Sequence, residues 1–225
     1  MFLEKLSLSR LLVLLLLLPT LGHGQGRHRN LLEAAVHGKY QPGYYTLADG
    51  TRHAGRLRIW QTLSRNVVQV DQGKADPVNL AAEQMCHFTI GPDSFTVARQ
   101  VALAGQPMNL PFGDVAFFRV MLRGKLQVLQ YDQLVPGMSP QYGPSHYLAW
   151  VLRPTPEADL VVVPWEETDF ARHMPAFFID NPLLAQRIRA GLVGRNDFKR
   201  IVYSYVFRKE IEEVSYETAA TIFPN

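Results

Sequence analysis

The sequence predicts an α+β protein: a twisted antiparallel sheet or half-closed barrel of β-hairpins, followed by a cluster of two or three short helices. Three observations carry this. Up to Val163, apolar residues recur at every second position in short runs separated by turn residues. Beyond Pro164 the period lengthens to about 3.6. Between them, Val115 to Tyr131 (VAFFRVMLRGKLQVLQY) holds enough alternating apolar side chains for a central hairpin. Ala116, Phe118, Val120 and Leu122 alternate, and a three-residue loop, Leu122-Arg123-Gly124 with Gly124 left-handed, brings Leu126 and Val128 onto the same face. The stretch is devoted to packing and offers no reactive group.

Taken in order, the chain opens with the unbroken apolar run Leu11–Leu18, preceded by Lys5 and Arg10 and followed by Pro19 and small residues. This is the layout of a secretory signal peptide, too short for the roughly 20 residues a spanning helix needs. Gly22-His23-Gly24 places cleavage before Gln25. Residues 1–24 are therefore read as a signal peptide, and the rest as exported to the periplasm or beyond with no transmembrane anchor. Residues 25–42 read as a flexible basic arm, 43–208 as a single domain (β-rich over 43–164, helical over 165–208), and 209–225 as a loosely held acidic tail.

Gly43–Leu47 and Arg56–Trp60 flank the turn dipeptide Asp49-Gly50 and make the first hairpin, with Leu57 and Ile59 on one side. Val67–Val70 is a short β-branched strand before the turn cluster Gly73–Pro77. Met85–Ile90 and Phe95–Val101 flank Gly91-Pro92-Asp93-Ser94, where proline's fixed φ favours a turn. Gly105–Gly113 and Pro136–Pro144 are connectors on either side of the central hairpin, and His146–Leu152 pairs with Leu160–Val163. Glu166–Phe178 is helical but broken by Pro175. Asn181-Pro182 caps and starts the next helix, which Gly191 ends. Asn196 or Asp197 caps the last, whose Phe198, Ile201, Val202, Tyr205 and Val206 form one apolar stripe.

Composition narrows the function. A hydrophobic fraction of 47% supports a packed core. Without Lys5, Arg10 and Glu4 the chain carries 21 basic and 19 acidic side chains, which gives nucleic acid little support as a partner. A single cysteine closes no intrachain disulfide.

The layout resembles a group of uncharacterised exported bacterial proteins. The likeness rests on Gly43-Tyr44-Tyr45-Thr46-Leu47 with Asp49-Gly50 near the start, and on an FxDxPxL…DFxxIVxxY pattern at the end. The latter is Phe178-Ile179-Asp180-Asn181-Pro182-Leu183 and Asp197-Phe198 through Ile201-Val202 to Tyr205. Members often carry Cys at the position of Asn181. The resemblance implies an exported β-rich domain with a helical end, and it assigns no catalytic residue.

No motif with a reaction attached stands out. On strand parity Cys86 shares a face with Phe88 and Ile90 and reads as a buried, inert thiol, with His87 turned the other way. The histidines lack zinc spacing, so no metal and no cofactor is expected. Ser145-His146 sits on an extended strand whose adjacent side chains face apart. Asp169 and His173 lie four apart on a helix after Glu166, the set a hydrolase or glycan-processing enzyme would draw on; surface pairing is the simpler reading. The aromatics point elsewhere. Trp60 falls on the outward parity of its strand beside Arg58, and Tyr44 and Tyr45 lie on the strand before it, so these four residues form the expected ligand-binding set. The leading reading is a non-catalytic exported binding domain for an envelope protein or glycan.

Overall fold

Ten strands form one antiparallel sheet: β1 (Gln41–Leu47), β2 (Arg52–Gln61), β3 (Asn66–Asp71), β4 (Val78–Ala81), β5 (Met85–Ile90), β6 (Asp93–Arg99), β7 (Val115–Leu122), β8 (Gln127–Val135), β9 (Ser145–Arg153) and β10 (Val161–Val162). Their order is β10-β9-β8-β7-β6-β5-β1-β2-β3-β4, open at both ends. Four helices follow among the described residues: α1 (Glu167–His173), α2 (Pro182–Arg189), α3 (Phe198–Phe207) and α4 (Tyr216–Ala220). The computed structural model describes residues 38–62, 66–99, 115–124, 126–135, 145–154 and 158–223, all within one unit. The expected signal peptide, most of the expected basic arm and the expected Gly105–Gly113 and Pro136–Pro144 connectors lie outside the described residues. The predicted α+β architecture, an open sheet followed by short helices, is the one observed.

The hairpins form where the turn residues sit. Gly50 (φ 87°) and Gly91 (φ 55°) occupy left-handed backbone that glycine tolerates at no steric cost. Between β1 and β5, Gly43 allows a close approach: a Cβ there would lie 2.0 Å from the Thr89 carbonyl oxygen. Asn181 caps α2 by accepting from the Leu184 N–H (3.3 Å), and Pro182 follows at the first helical position. Pro175 ends α1 as expected: residues Met174–Phe178 tighten into a 3-10 turn.

Three apolar clusters result. One face of β1–β7 encloses Leu57, Ile59, Val68, Phe88, Ile90, Phe95 and Phe117. Farther along the same face, Val128 and Leu152 meet Phe170, Phe178, Ile188, Phe198 and Ile201 of the helical end. The opposite face of β6–β9 carries Phe118, Leu129, Tyr131 and Val151. At one point the sheet curls until β2 and β3 approach β8. Among the described residues no ladder closes that seam; instead Gln61 Nε2 and Asn66 Nδ2 donate to the Asp132 carbonyl (3.0 and 3.2 Å), and Gln133 Nε2 donates to the Thr62 carbonyl (2.9 Å).

Five expectations are corrected. The central hairpin does not keep one parity. A bulge at Met121 shifts the register, so Val120 pairs with Leu129 while Leu122 pairs with Val128. Phe118 and Val120 therefore serve one face, and Leu122, Leu126 and Val128 the other. A second bulge inserts Cys86 between the Leu47–Met85 and Thr46–His87 pairs, which leaves Cys86 exposed rather than buried. The 209–225 segment is not a loose tail: Ile211, Val214, Ala219 and Phe223 are buried, and Arg200 holds the carbonyls of Val214 (2.7 Å) and Ile211 (2.8 Å). The first strand starts at Gln41, within the expected arm, and on the apolar stripe of α3 Val206 is exposed.

Candidate functional site

In an antiparallel ladder, directly paired residues share a face, as do alternate residues along each strand. Tyr44 pairs with Ala54, Arg58 with Gln69, and Trp60 with Val67, so Tyr44, Arg52, Arg56, Arg58 and Trp60 share the face opposite Leu57 and Ile59. From Arg52 to Trp60 this row runs roughly 26 Å at the usual rise per strand residue. Tyr44 and Trp60 are 52% and 38% exposed, unusual for large rings on a sheet.

The arginines are held against rings. The Arg52 guanidinium lies 4.8 Å from the Tyr44 ring centre, and that of Arg58 lies 4.5 Å from Tyr40 and 5.1 Å from Trp60. Arg58 Nε donates to Gln69 Oε1 (2.8 Å), and Gln69 Nε2 donates to Asn79 Oδ1 (2.9 Å), which fixes the guanidinium plane. Arg56 is paired with Asp71 (3.4 Å), whereas among the described residues neither Arg52 nor Arg58 has a carboxylate partner. The face thus presents two oriented, unneutralised cations between two exposed rings.

Tyr45 is not part of it. It pairs with His53 on the other face, stacks on that imidazole (5.0 Å between centres) and packs against the interior cluster. The rival set is not assembled either. Asp169 pairs with Arg172 one helical turn on (3.5 Å), and His173 and Glu166 are exposed with no hydrogen bond joining the three. Cys86 is exposed at its bulge, where His87 Nε2 and Thr46 Oγ1 are 3.1 Å apart.

The structure also forms polar pairs that sequence reasoning did not foresee. Arg119, 4% exposed, donates through Nε (3.1 Å) and Nη2 (2.5 Å) to Asp93 Oδ1, itself buried. On β8 and β9, Asp132 Oδ1 and His146 Nδ1 lie 2.8 Å apart. The signal for the first was a charge inside the otherwise apolar run VAFFRVML: a buried guanidinium must be paired. The second leaves none, because it joins residues 14 apart across a connector. Among the described residues no hydroxyl or thiol is seen hydrogen-bonded to this imidazole. Nearby phenols supply no base near neutral pH: burial pushes Tyr147 up to about 12, and burial with the neighbouring Asp132 charge pushes Tyr131 higher still. No group of three or more His, Cys, Asp or Glu residues among the described residues is placed to hold a metal ion. No helix among them is long and apolar enough to cross a membrane.

Compared with protein-family models, with curated proteins and with solved structures, the chain matches none.

Proposed function

We propose that this protein is an exported, non-catalytic binding domain that grips an extended acidic glycan on the outer face of β1 and β2. Sugar rings lie on Tyr44 and Trp60, and carboxylates along the polymer pair with Arg52 and Arg58. The observation that carries the reading is the row itself: the guanidinium groups of Arg52 and Arg58 lie over exposed rings and, among the described residues, have no carboxylate partner. A stacked, hydrogen-bonded guanidinium has already lost much of its side-chain freedom, so binding costs less ordering. The length of the row suits a polymer better than a single sugar. Export rests on the apolar run Leu11–Leu18 and its basic flank.

Calorimetric titration of the full chain with soluble uronate-containing oligosaccharides tests this. Trp60→Ala and Arg58→Ala are each expected to weaken binding at least tenfold, as for residues at the centre of an interface, while Trp165→Ala on the helical side leaves it unchanged. Equal affinity in all three variants would remove the face from consideration, and so would a total lack of heat with any acidic oligosaccharide.

A further inference from the structure

The chain turns at residues 179–181, where the Asn181 N–H donates to the Phe178 carbonyl (2.8 Å), and α2 then packs back on α1 and the 3-10 turn Met174–Phe178. Between them lies an open trough of about 350 Å³, a volume within the usual range of small-molecule sites. Arg172, Ala176 and Ile179 line one side, and Pro182, Ala185 and Arg189 of α2 line the other. Each set is spaced by three or four residues, the period of one helical face. Ile179 and Pro182 flank the turn. Arg172 and Arg189 are the lining residues farthest from it on either side, roughly 10 Å away at the usual helical rise. The trough is therefore aliphatic at one end and cationic at the other.

The chemistry of the two sides selects the ligand. Ile179 is 79% exposed, so nearly all its aliphatic surface is bare, and Ala185, buried between the helices, is too small to fill the space above it. No aromatic ring lines the trough, which leaves a sugar nothing to stack on, and no acidic side chain lines it to repel an anion. At the cationic end Arg172 pairs with Asp169 of its own helix (3.5 Å), while Arg189 is exposed and has no hydrogen-bond or ion-pair partner among the described residues. Two guanidiniums at the same end of an apolar trough are both satisfied by one carboxylate. We infer that the trough binds a free medium-chain aliphatic carboxylate. Its hydrocarbon lies on Ile179, Ala176 and Ala185, and its carboxylate meets Arg189 and Arg172. The inference does not depend on the glycan reading of β1 and β2.

Titration of the full chain with sodium octanoate, followed by NMR on the side-chain Nε–H signals of Arg172 and Arg189, tests the site. Octanoate is expected to move both signals saturably, with a dissociation constant on the order of 0.1 to 1 mM. Acetate has the carboxylate without the chain, and octanol the chain without the carboxylate; each is expected to bind at least tenfold more weakly. Arg189→Ala is expected to weaken octanoate at least tenfold, read on the Arg172 signal, and Ala176→Trp, which fills the trough, to abolish binding. Both positions are exposed, where substitution leaves the fold intact. The absence of any shift with octanoate would overturn the inference. Acetate or octanol binding as tightly as octanoate, or full affinity retained in either variant, would overturn it too.

Discussion

At the scale of single residues, two positions hold more of the fold than their size suggests. Gly43 sits where β1 passes the Thr89 carbonyl, and an added methyl meets backbone oxygen that no side-chain rotation can move aside. Gly43→Ala is expected to cost about 1–3 kcal/mol, in line with overpacked interiors, read as a lower denaturant midpoint at unchanged slope. Arg119 and Asp93 form a buried pair in which neither charge has water to fall back on. Asp93→Ala is expected to cost roughly 3–5 kcal/mol, whereas the double change Asp93→Leu with Arg119→Met recovers most of that loss, because both desolvated charges then disappear. Equilibrium unfolding of the single and double variants checks both statements. The outward place of Trp60 and Arg58 was legible from alternation alone, since Leu57 and Ile59 fix the parity of β2. Tyr44 and Tyr45 were not separable by sequence: adjacent aromatics on a strand satisfy either facing, and only the pairing of Tyr45 with His53 decides it.

At the scale of elements, punctuation was readable and interruptions were not. Asp49-Gly50, Gly91-Pro92 and Asn181-Pro182 mark boundaries because each needs a particular backbone angle or cap. The bulges at Cys86 and Met121 leave no comparable trace. Each adds one residue to a strand, and either residue is at home on either face, so parity counted through them comes out reversed. The C-terminal segment was misread for a related reason. Ile211, Val214, Ala219 and Phe223 are spread among acids with no single period, since a 3-10 turn, an extended link and a short helix succeed one another. Asp197 ties this segment to α3: its carboxylate accepts from Tyr216 Oη (2.8 Å), the Gly194 N–H (3.1 Å) and Arg200 Nη1 (2.7 Å). Partial burial pushes the Asp197 pKa up, but these donors together with the Arg200 charge outweigh it and hold the group below its usual value. A lowered folded pKa contributes stability that is complete above the unfolded value near 3.8 and is lost as pH falls through the lower folded value. Unfolding free energy measured from pH 5 downward is expected to decline over that window in the native chain. With Asp197→Asn the decline is shallower, and stability at neutral pH is already lower by roughly 1 kcal/mol.

At the scale of the whole molecule, one antiparallel sheet does two jobs with its two faces. One face buries side chains from β1 across to the helical end, so β7 and β8 link the sheet core to the helix core. The other face changes character along the sheet, apolar and buried on β6–β9 but cationic and aromatic on β1 and β2. Arg52 and Arg58 on this surface have no carboxylate partner among the described residues, and the proposed binding of an acidic polymer rests there rather than on any reacting group. Nitrogen-edited NMR of the indole N–H signals offers the most direct check, because the chain has three tryptophans and they report on different regions. Trp60 lies on the proposed face, Trp150 packs against α3, and Trp165 lies under Arg195 at the start of the helical end. Titration with a soluble uronate oligosaccharide is predicted to move the Trp60 signal progressively and leave the other two in place. Movement of Trp165 or Trp150 with Trp60 unchanged would contradict the account.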